Sequence, residues 1–185
     1  GLDYRFICPP NKDTQQALDA AERRSAFIQW VWDENEKLAE FPPVRDLTKY
    51  LVQYGMGIIK GPFFDKDILK KSESACPINY TIRDPSIAML DPSPEPTFAL
   101  EVIKRKAINI QLSYPSWTMP ETIKPWDDVE WVEYWDAGVR AYFITTGQGK
   151  DANILPFIPK GNDVFINNPY KFLPFIRIYT GLGEP

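Results

Sequence analysis

The chain contains no histidine and only two cysteines among its 185 residues. The lack of histidine excludes Ser-His-Asp and Cys-His catalysis and histidine-based zinc sites. Cys8 and Cys76 are too few for a thiolate zinc site, and their wide separation predicts two free, buried thiols rather than a disulfide. The chemistry that side chains could bring to an active site is therefore narrow.

Long apolar runs and a basic stripe are also missing. No segment approaches the eighteen consecutive apolar residues of a membrane helix, and the N-terminus lacks the pattern of a secretory signal. We therefore expect a soluble, intracellular chain without a membrane partner. The 25 acidic and 21 basic residues give a net charge of −4, and no block of one sign suggests an isolated nucleic-acid-binding module.

The composition is that of a folded domain, with 44% hydrophobic and 25% charged residues. A chain of this length can bury one core or two small ones. Its 18 prolines predict short elements joined by ordered loops, with few long helices.

Two helices are predicted near the N-terminus. Asp13 or Thr14 caps the first, which lacks glycine and proline in its interior, has apolar residues at three- and four-residue steps, and extends to about Ala39. A proline pair then stops it. Pro43 is well placed as the first residue of a second helix, and Gly55 as its C-terminal cap.

Strands are predicted where β-branched and aromatic residues cluster between turn residues. These runs are residues 56–63, 78–82, 97–103, 129–136, 139–146, 164–167 and 172–179. A tight hairpin is predicted at Ala137-Gly138. The alternating apolar residues of 107–112 favour a strand, although a short helix also fits. Loops are predicted at residues 64–77, 84–96 and 114–125.

These elements predict an α+β fold in which two N-terminal helices pack on a mostly antiparallel β-sheet or small β-barrel. The corresponding divisions are an N-terminal extension (1–12), a helical pair (13–55) and a β-rich region (56–185). We expect the last two to form one compact domain.

Two glycine-containing segments are similar to nucleotide-binding loops but lack required residues. Before Gly147-Gln148-Gly149-Lys150 the phosphate loop would need a glycine at Ile144, and after it a Ser or Thr where Asp151 stands. Gly181-Leu182-Gly183 lacks the third glycine of a dinucleotide fingerprint and a following helix. We interpret the first as a hairpin turn and the second as a loop, and predict no cofactor.

An acidic cluster offers the one candidate for metal or acid-base chemistry. It consists of Asp127, Asp128, Glu130 and Glu133. On a strand, Asp128 and Glu130 share one face while Glu133 points to the other, so the carboxylates do not converge. A solvated acidic face is the favoured interpretation, and we predict no catalytic or metal-binding residue and no enzymatic activity.

The tryptophans are the remaining candidates for a functional role. Trp131, Tyr134 and Trp135 could stack on nucleic-acid bases, but no Lys or Arg is interleaved, which favours a role in the core or in a subunit interface. Trp30 and Trp32 lie on different sides of the first helix, so one core cannot easily bury both. The candidate subunit-interface residues are therefore Trp30, Trp32, Trp131 and Trp135.

Taken in order, several segments resemble the front portion of tailed-bacteriophage portal proteins. They are Leu18-Asp19-Ala20-Ala21-Glu22-Arg23-Arg24, Phe27-Ile28-Gln29-Trp30-Val31-Trp32, residues 46–60, Pro77-Ile78, the stretch from 83–86 through 90–92, Tyr114-Pro115, Val132-Glu133-Tyr134-Trp135-Asp136, and the stretch from Pro174-Phe175 to Gly181-Leu182-Gly183-Glu184. Each segment is weak alone, and their shared order over nearly the whole chain carries the resemblance.

The resemblance implies a self-assembling ring, commonly of twelve subunits, at the unique capsid vertex. Such a ring serves DNA packaging, head-tail joining and ejection, and its partners are the terminase, the capsid protein and the head-completion proteins. It implies a location in the virion, and in the host cytoplasm during assembly. This chain would supply the peripheral wing region, with DNA passing through the ring and no sequence-specific DNA contact.

The chain departs from the family pattern because it stops at Pro185, before the helices that line the channel and before the clip. We therefore expect an excised or truncated domain. Two alternatives stay open: another virion connector or assembly protein, and a small magnesium-dependent hydrolase or nuclease that uses the acidic cluster.

Overall fold

Helices occupy the start of the chain and strands most of the rest. A computed structural model of the protein describes residues 5, 7–38, 42–65, 67, 76–146, 153–158 and 163–180. The helices are α1 (Gln15–Leu38), α2 (Pro43–Tyr54) and α3 (Ala107–Ser113). The strands are β1 (Met56–Phe64), β2 (Ile78–Arg83), β3 (Ala88–Leu90), β4 (Phe98–Lys106), β5 (Asp128–Asp136), β6 (Val139–Thr146), β7 (Asn153–Phe157), β8 (Phe165–Asn167) and β9 (Phe175–Tyr179).

The predicted α+β class is confirmed. The described strands form two antiparallel sheets and no closed barrel, so the sheet alternative is the correct one. One sheet has the order β2-β1-β9; the other has the order β3-β4-β5-β6-β7, with β8 also pairing with β6.

The chain divides into two compact units. The first comprises residues 1–82 and 178–185, and the second comprises residues 83–177. The first unit is thus built from both ends of the chain. The predicted division into residues 1–12, 13–55 and 56–185 stays a prediction.

Both predicted helices of the first unit are confirmed, together with their caps. At the start of α1 the backbone N–H of Ala17 donates to the side-chain oxygen of Thr14 over 3.3 Å. Pro43 begins α2. Gly55 ends α2 in the left-handed conformation, with φ of 72°, and its N–H donates to the carbonyl of Leu51. Glycine suits this position because it carries no Cβ to clash there.

Side chains from both helices pack on the three-stranded sheet. The indole of Trp32 stacks on the ring of Tyr80 in β2, with 4.8 Å between ring centroids. Asn35 donates to the carbonyl of Ile78 and accepts from the N–H of Tyr80, which joins α1 to the backbone of β2. A Cβ at Gly57 would overlap a side-chain methyl of Leu47, so glycine there lets α2 approach β1 closely.

The second unit is organised by the long antiparallel pair of β4 and β5. Its register places Phe98 opposite Asp136 and Lys106 opposite Asp128. β5 then turns into β6 through Ala137-Gly138, which confirms the predicted hairpin. The carboxylate of Asp136 accepts the N–H groups of Gly138 and Val139 and so fixes the turn.

The core of the second unit lies on one face of this sheet, beneath α3 and the loop that follows it. Trp131 is at its centre, with the ring of Phe157 at 4.7 Å, that of Tyr142 at 5.3 Å and that of Tyr114 at 5.7 Å between centroids. The buried residues of this cluster are Ala107, Ile110, Ile123, Val129, Trp131, Tyr142, Ile144 and Phe157.

Residues 107–112 form a helix, although their alternating apolar residues favoured a strand. Ala107 and Ile110 lie about one turn apart and are both completely buried. The N–H groups of Ala107 and Ile108 donate to the carbonyls of Asp127 and Pro125, so the following loop satisfies the helix start. The helix thus depends on a segment distant in sequence.

Two short strands were not predicted. β3 lies within the predicted loop 84–96, and β7 contains Pro156. β3 and β7 lie at the two ends of the order of the larger sheet, where a residue without an N–H is tolerated. The predicted turn at residues 147–150, the loop at 181–183 and most of the loop at 64–77 lie outside the described residues.

Gly61 generates a stability prediction for the first unit. Its φ is 134°, and an added Cβ would lie 2.9 Å from Cβ of Tyr80 and 3.0 Å from the carbonyl oxygen of Asn79. Gly61→Ala should therefore lower the free energy of unfolding by about 2 kcal/mol or more, because backbone strain and overlap add. Urea unfolding followed by tryptophan fluorescence measures this loss.

Two other glycines provide matched controls. Gly138→Ala should change stability by less than about 0.5 kcal/mol, since the new Cβ meets only a side-chain oxygen of Asp136 at 3.5 Å. Gly55→Ala should lose about 1 kcal/mol from its positive φ alone, because nothing lies within 4 Å. Equal losses at all three positions would contradict the described contact at Gly61.

Candidate functional site

The acidic cluster does not assemble into a site. Asp128 pairs with Lys106 through a 2.7 Å ion pair, and the Asp127 carboxylate accepts the N–H of Lys124. Glu130 lies opposite Lys104, whereas Glu133 is on the other face of β5. In the part of the chain that the structure describes, no three Cys, Asp or Glu residues are grouped so that they could hold a metal ion.

The four candidate tryptophans differ in their exposure. Trp32 is buried in the first unit, and Trp131 and Trp135 are buried in the second. Trp32, Trp131 and Trp135 therefore have a role in the core, which was one of the two alternatives beside a subunit interface. Trp30 is 40% exposed, as the positions of the two indoles on different sides of α1 predicted. Of the four, only Trp30 offers substantial surface to a partner, and its place in an interface stays a prediction.

Trp30 belongs to a line of residues along α1 that we call the α1 stripe. Ala20, Arg23, Phe27, Trp30 and Glu34 follow one another at three- and four-residue steps and so share one side of the helix. Phe27 is 51% exposed, and its ring lies 5.9 Å from that of Trp30 between centroids. The two rings form an apolar patch between an exposed arginine and a glutamate.

The orientation of this stripe follows from what the opposite side of α1 packs against. Successive residues are rotated by about 100° around a helix, so Trp30 and Trp32 point about 160° apart. Trp32 is held by Tyr80, and Ala21, which lies on the same side of the helix, is buried as well. The contacts that bury Trp32 therefore turn Trp30 outward.

The second unit contains a row of polar side chains, with Glu101 and Tyr142 buried and Glu133 half-buried, that sequence analysis missed. Glu101 on β4 is 0% exposed and lies directly opposite Glu133 on β5, which in turn lies opposite Tyr142 on β6. Nε of Arg83 is 2.8 Å from a carboxylate oxygen of Glu101, close enough for an ion pair although not aligned as a hydrogen bond. Arg83 thus compensates one of two adjacent carboxylates.

The neighbours of Glu133 complete this polar row. Its carboxylate accepts the indole N–H of Trp135 over 2.8 Å. The guanidinium of Arg140 lies over the Trp135 ring at 5.4 Å. Burial raises the pKa of Tyr142, and the negative charge of Glu133 raises it further. Such a row can stabilise the register of three strands.

One sequence signal could have identified Glu101. In β4 the residues Ala99, Glu101 and Ile103 lie on the same side of the strand, so a charged residue interrupts an otherwise apolar alternation. A charged side chain on the buried side of a strand requires a compensating charge. The alternation in β4 does not show, however, that Arg83 supplies this compensating charge.

The carboxylate of Asp91 orders the loop before β4. It accepts the N–H groups of Ser93 and Thr97 at 3.1 Å and the Thr97 hydroxyl at 2.7 Å. These hydrogen bonds, led by the Thr97 hydroxyl, hold the pKa of Asp91 well below its usual value. Arg177 donates to the backbone carbonyls of Asp91 and Ser93, so the loop is bound from two sides.

Both cysteines are free, as predicted; Cys76 is buried and Cys8 is half-buried. Among the described helices, none combines the length and the apolar character needed to cross a membrane.

Comparison with known proteins adds no family assignment. A scan against protein-family models finds no match, and a search of curated proteins finds no significant relative.

The pair of half-buried Arg83 and buried Glu101 generates a second stability prediction. Glu101→Gln keeps the side-chain size but leaves Arg83 without its anionic partner, and should lower the free energy of unfolding by about 2–4 kcal/mol. Lys106→Ala removes the exposed pair with Asp128 and should lose less than about 1 kcal/mol. Chemical denaturation measures both, and similar losses would contradict the described difference in burial.

Asp91 generates a prediction about acid stability. Because its pKa is lowered in the folded state, its carboxylate contributes stability that is complete above the ordinary pKa of 3.8 and is lost as the pH falls through and below that value. Asp91→Asn should therefore make stability depend less steeply on pH between about pH 2 and pH 5. Glu95→Gln in the same loop is the control, and an unchanged pH dependence in Asp91→Asn would show that this carboxylate is not the cause.

Proposed function

We propose that this chain is a structural subunit, or a fragment of one, from the portal ring of a tailed bacteriophage. It would form the peripheral wing region of a ring at the unique capsid vertex. The ring would serve DNA packaging, head-tail joining and ejection. The observation that carries the proposal is the exposed aromatic part of the α1 stripe, because an assembly subunit requires surface that its own fold leaves uncovered.

The position of the stripe in the sequence supports this proposal. The two segments that open the resemblance to portal proteins, residues 18–24 and 27–32, lie within α1. They hold both the residues that pack inward, such as Trp32, and the exposed pair of Phe27 and Trp30. The resemblance and the exposed surface therefore concern the same helix.

In this proposal the partners are other copies of the chain in its full-length form, the terminase, the capsid protein and the head-completion proteins. DNA would pass through the ring without sequence-specific contacts to this region. The protein would be located in the virion, and in the host cytoplasm during assembly. No catalytic step is assigned to it, and ATP hydrolysis would belong to the terminase.

The exposed stripe equally fits another virion connector or assembly protein, which is the second candidate function. A magnesium-dependent nuclease fits less well, because Asp128 and Glu133 lie on opposite faces of β5 and Asp128 is paired with Lys106. Ring architecture distinguishes the first two candidates. Incubation with DNA and Mg²⁺ tests the third, since cleavage that depends on the metal and is lost in Glu130→Gln would support it.

Electron microscopy tests the portal proposal directly. We expect the complete product of the reading frame that encodes this chain, imaged in negative stain, to form rings with a central hole. The present chain, imaged alone under the same conditions, is the control. A complete product that forms only monomers or open filaments would overturn the proposal.

A further inference from the structure

The α1 stripe has a pattern that is nearly self-complementary. Phe27 and Trp30 are placed symmetrically about the peptide bond that joins Ile28 and Gln29. About the same point, the basic residues Arg23 and Arg24 mirror acidic ones, Glu34 and Asp33. If a two-fold axis through this point related two copies of the chain, Phe27 of one copy would lie opposite Trp30 of the other. Each basic residue would likewise lie opposite an acidic one.

From this pattern we propose that the α1 stripe pairs with the same stripe of a second copy of the chain, with the two helices antiparallel. A two-fold contact of this kind uses the same surface on both copies. Phe27 of each copy would lie against Trp30 of the other, and Arg23 of each against Glu34 of the other. The proposal concerns this chain as it stands and does not rest on the portal function.

Three described features make the stripe available for such a contact. Phe27 and Trp30 are exposed, and their rings already contact each other and form one patch. The side of α1 that packs within the unit is the opposite one, through Ala21 and Trp32. The N–H of Cys8 donates to the hydroxyl of Ser25, which also lies away from the stripe around the helix.

The charges favour the antiparallel arrangement over a parallel one. In a parallel pair in register, Arg23 would lie against Arg23 and Glu34 against Glu34, and like charges in contact are unfavourable. In the antiparallel pair both contacts become attractive. Lys37 already binds Glu34 within the helix over 2.7 Å, and the new contact would give that carboxylate a second cationic neighbour.

The size of the patch predicts a weak pair. Aromatic side chains bury about 150–250 Å² each, and these rings are about half covered already, so four rings add roughly 400 Å². Even when the surrounding helix surface is included, the buried area is at the low end of the range for specific interfaces. We therefore expect a dissociation constant in the range of roughly 10–100 µM.

Sedimentation equilibrium of the purified chain, from about 5 to 500 µM, tests whether the pair forms. We expect a reversible monomer–dimer equilibrium. Trp30→Glu should raise the dissociation constant by at least roughly 10-fold, because it places a charge in the centre of the patch. Trp126→Glu is the matched control, since Trp126 is 74% exposed in the other unit and should leave the equilibrium unchanged.

Charge reversal tests the antiparallel register without altering the aromatic patch. Arg23→Glu and Glu34→Arg should each weaken self-association by roughly 3–10-fold, because each places like charges opposite one another at both ends. An equimolar mixture of the two variants should associate as well as the original chain, because each copy then meets opposite charges in its partner. The double variant should likewise recover self-association.

Circular dichroism and urea unfolding show whether each variant keeps the fold. If Trp30→Glu does not fold, the charge-reversal variants decide whether the pair forms. A chain that stays monomeric up to the highest concentration would overturn the pairing. A dimer whose dissociation constant is unchanged by Trp30→Glu would also overturn it. Failure of the mixture of charge-reversal variants to restore association would do the same. Rings formed by the complete product would leave the portal proposal standing in each of these cases.

Discussion

The inward placement of Trp131 is the constraint on which the second unit depends. Its indole is enclosed by Tyr114, Tyr142 and Phe157, which come from three other segments of the chain. Because side chains alternate across a strand, a shift of one residue would turn this indole to the opposite face. The register of β4, β5 and β6 is therefore fixed by the packing of one large aromatic side chain.

The adjacent carboxylates of Glu101 and Glu133 are a consequence of the same register. Once Trp131 points inward, Glu133 must share its face, and the pairing brings Glu101 and Tyr142 directly beside it. Two adjacent carboxylates in a core are unfavourable unless cations or hydrogen-bond donors compensate them. Arg83 and the Trp135 indole provide that compensation. The polar row is thus a structural feature of the fold.

In the first unit, α1 has two sides with different roles. Trp32 and Asn35 attach it to β2, while Phe27 and Trp30 face away from that attachment. A 24-residue helix gains most of its stability from packing, and here the packed side accounts for only part of its apolar surface. Both the proposed function and the proposed pairing are explanations for the uncovered part.

The sequence alone determined the features that depend on local rules. The caps at Thr14 and Gly55, the Ala137-Gly138 turn, the α+β class and the separation of Trp30 from Trp32 all follow from residues close together in the chain. The non-convergence of the acidic cluster also followed, since strand geometry places Glu133 on the face opposite Asp128.

Only the tertiary structure decided which side chains meet across long distances. It made residues 107–112 a helix, because Asp127 and Pro125 satisfy the first amides of that helix. It paired Glu101 with Arg83 and left Trp30 as the exposed member of the four candidate tryptophans. Local pattern cannot predict these outcomes, because burial and ion pairing depend on which distant segment occupies the adjoining space.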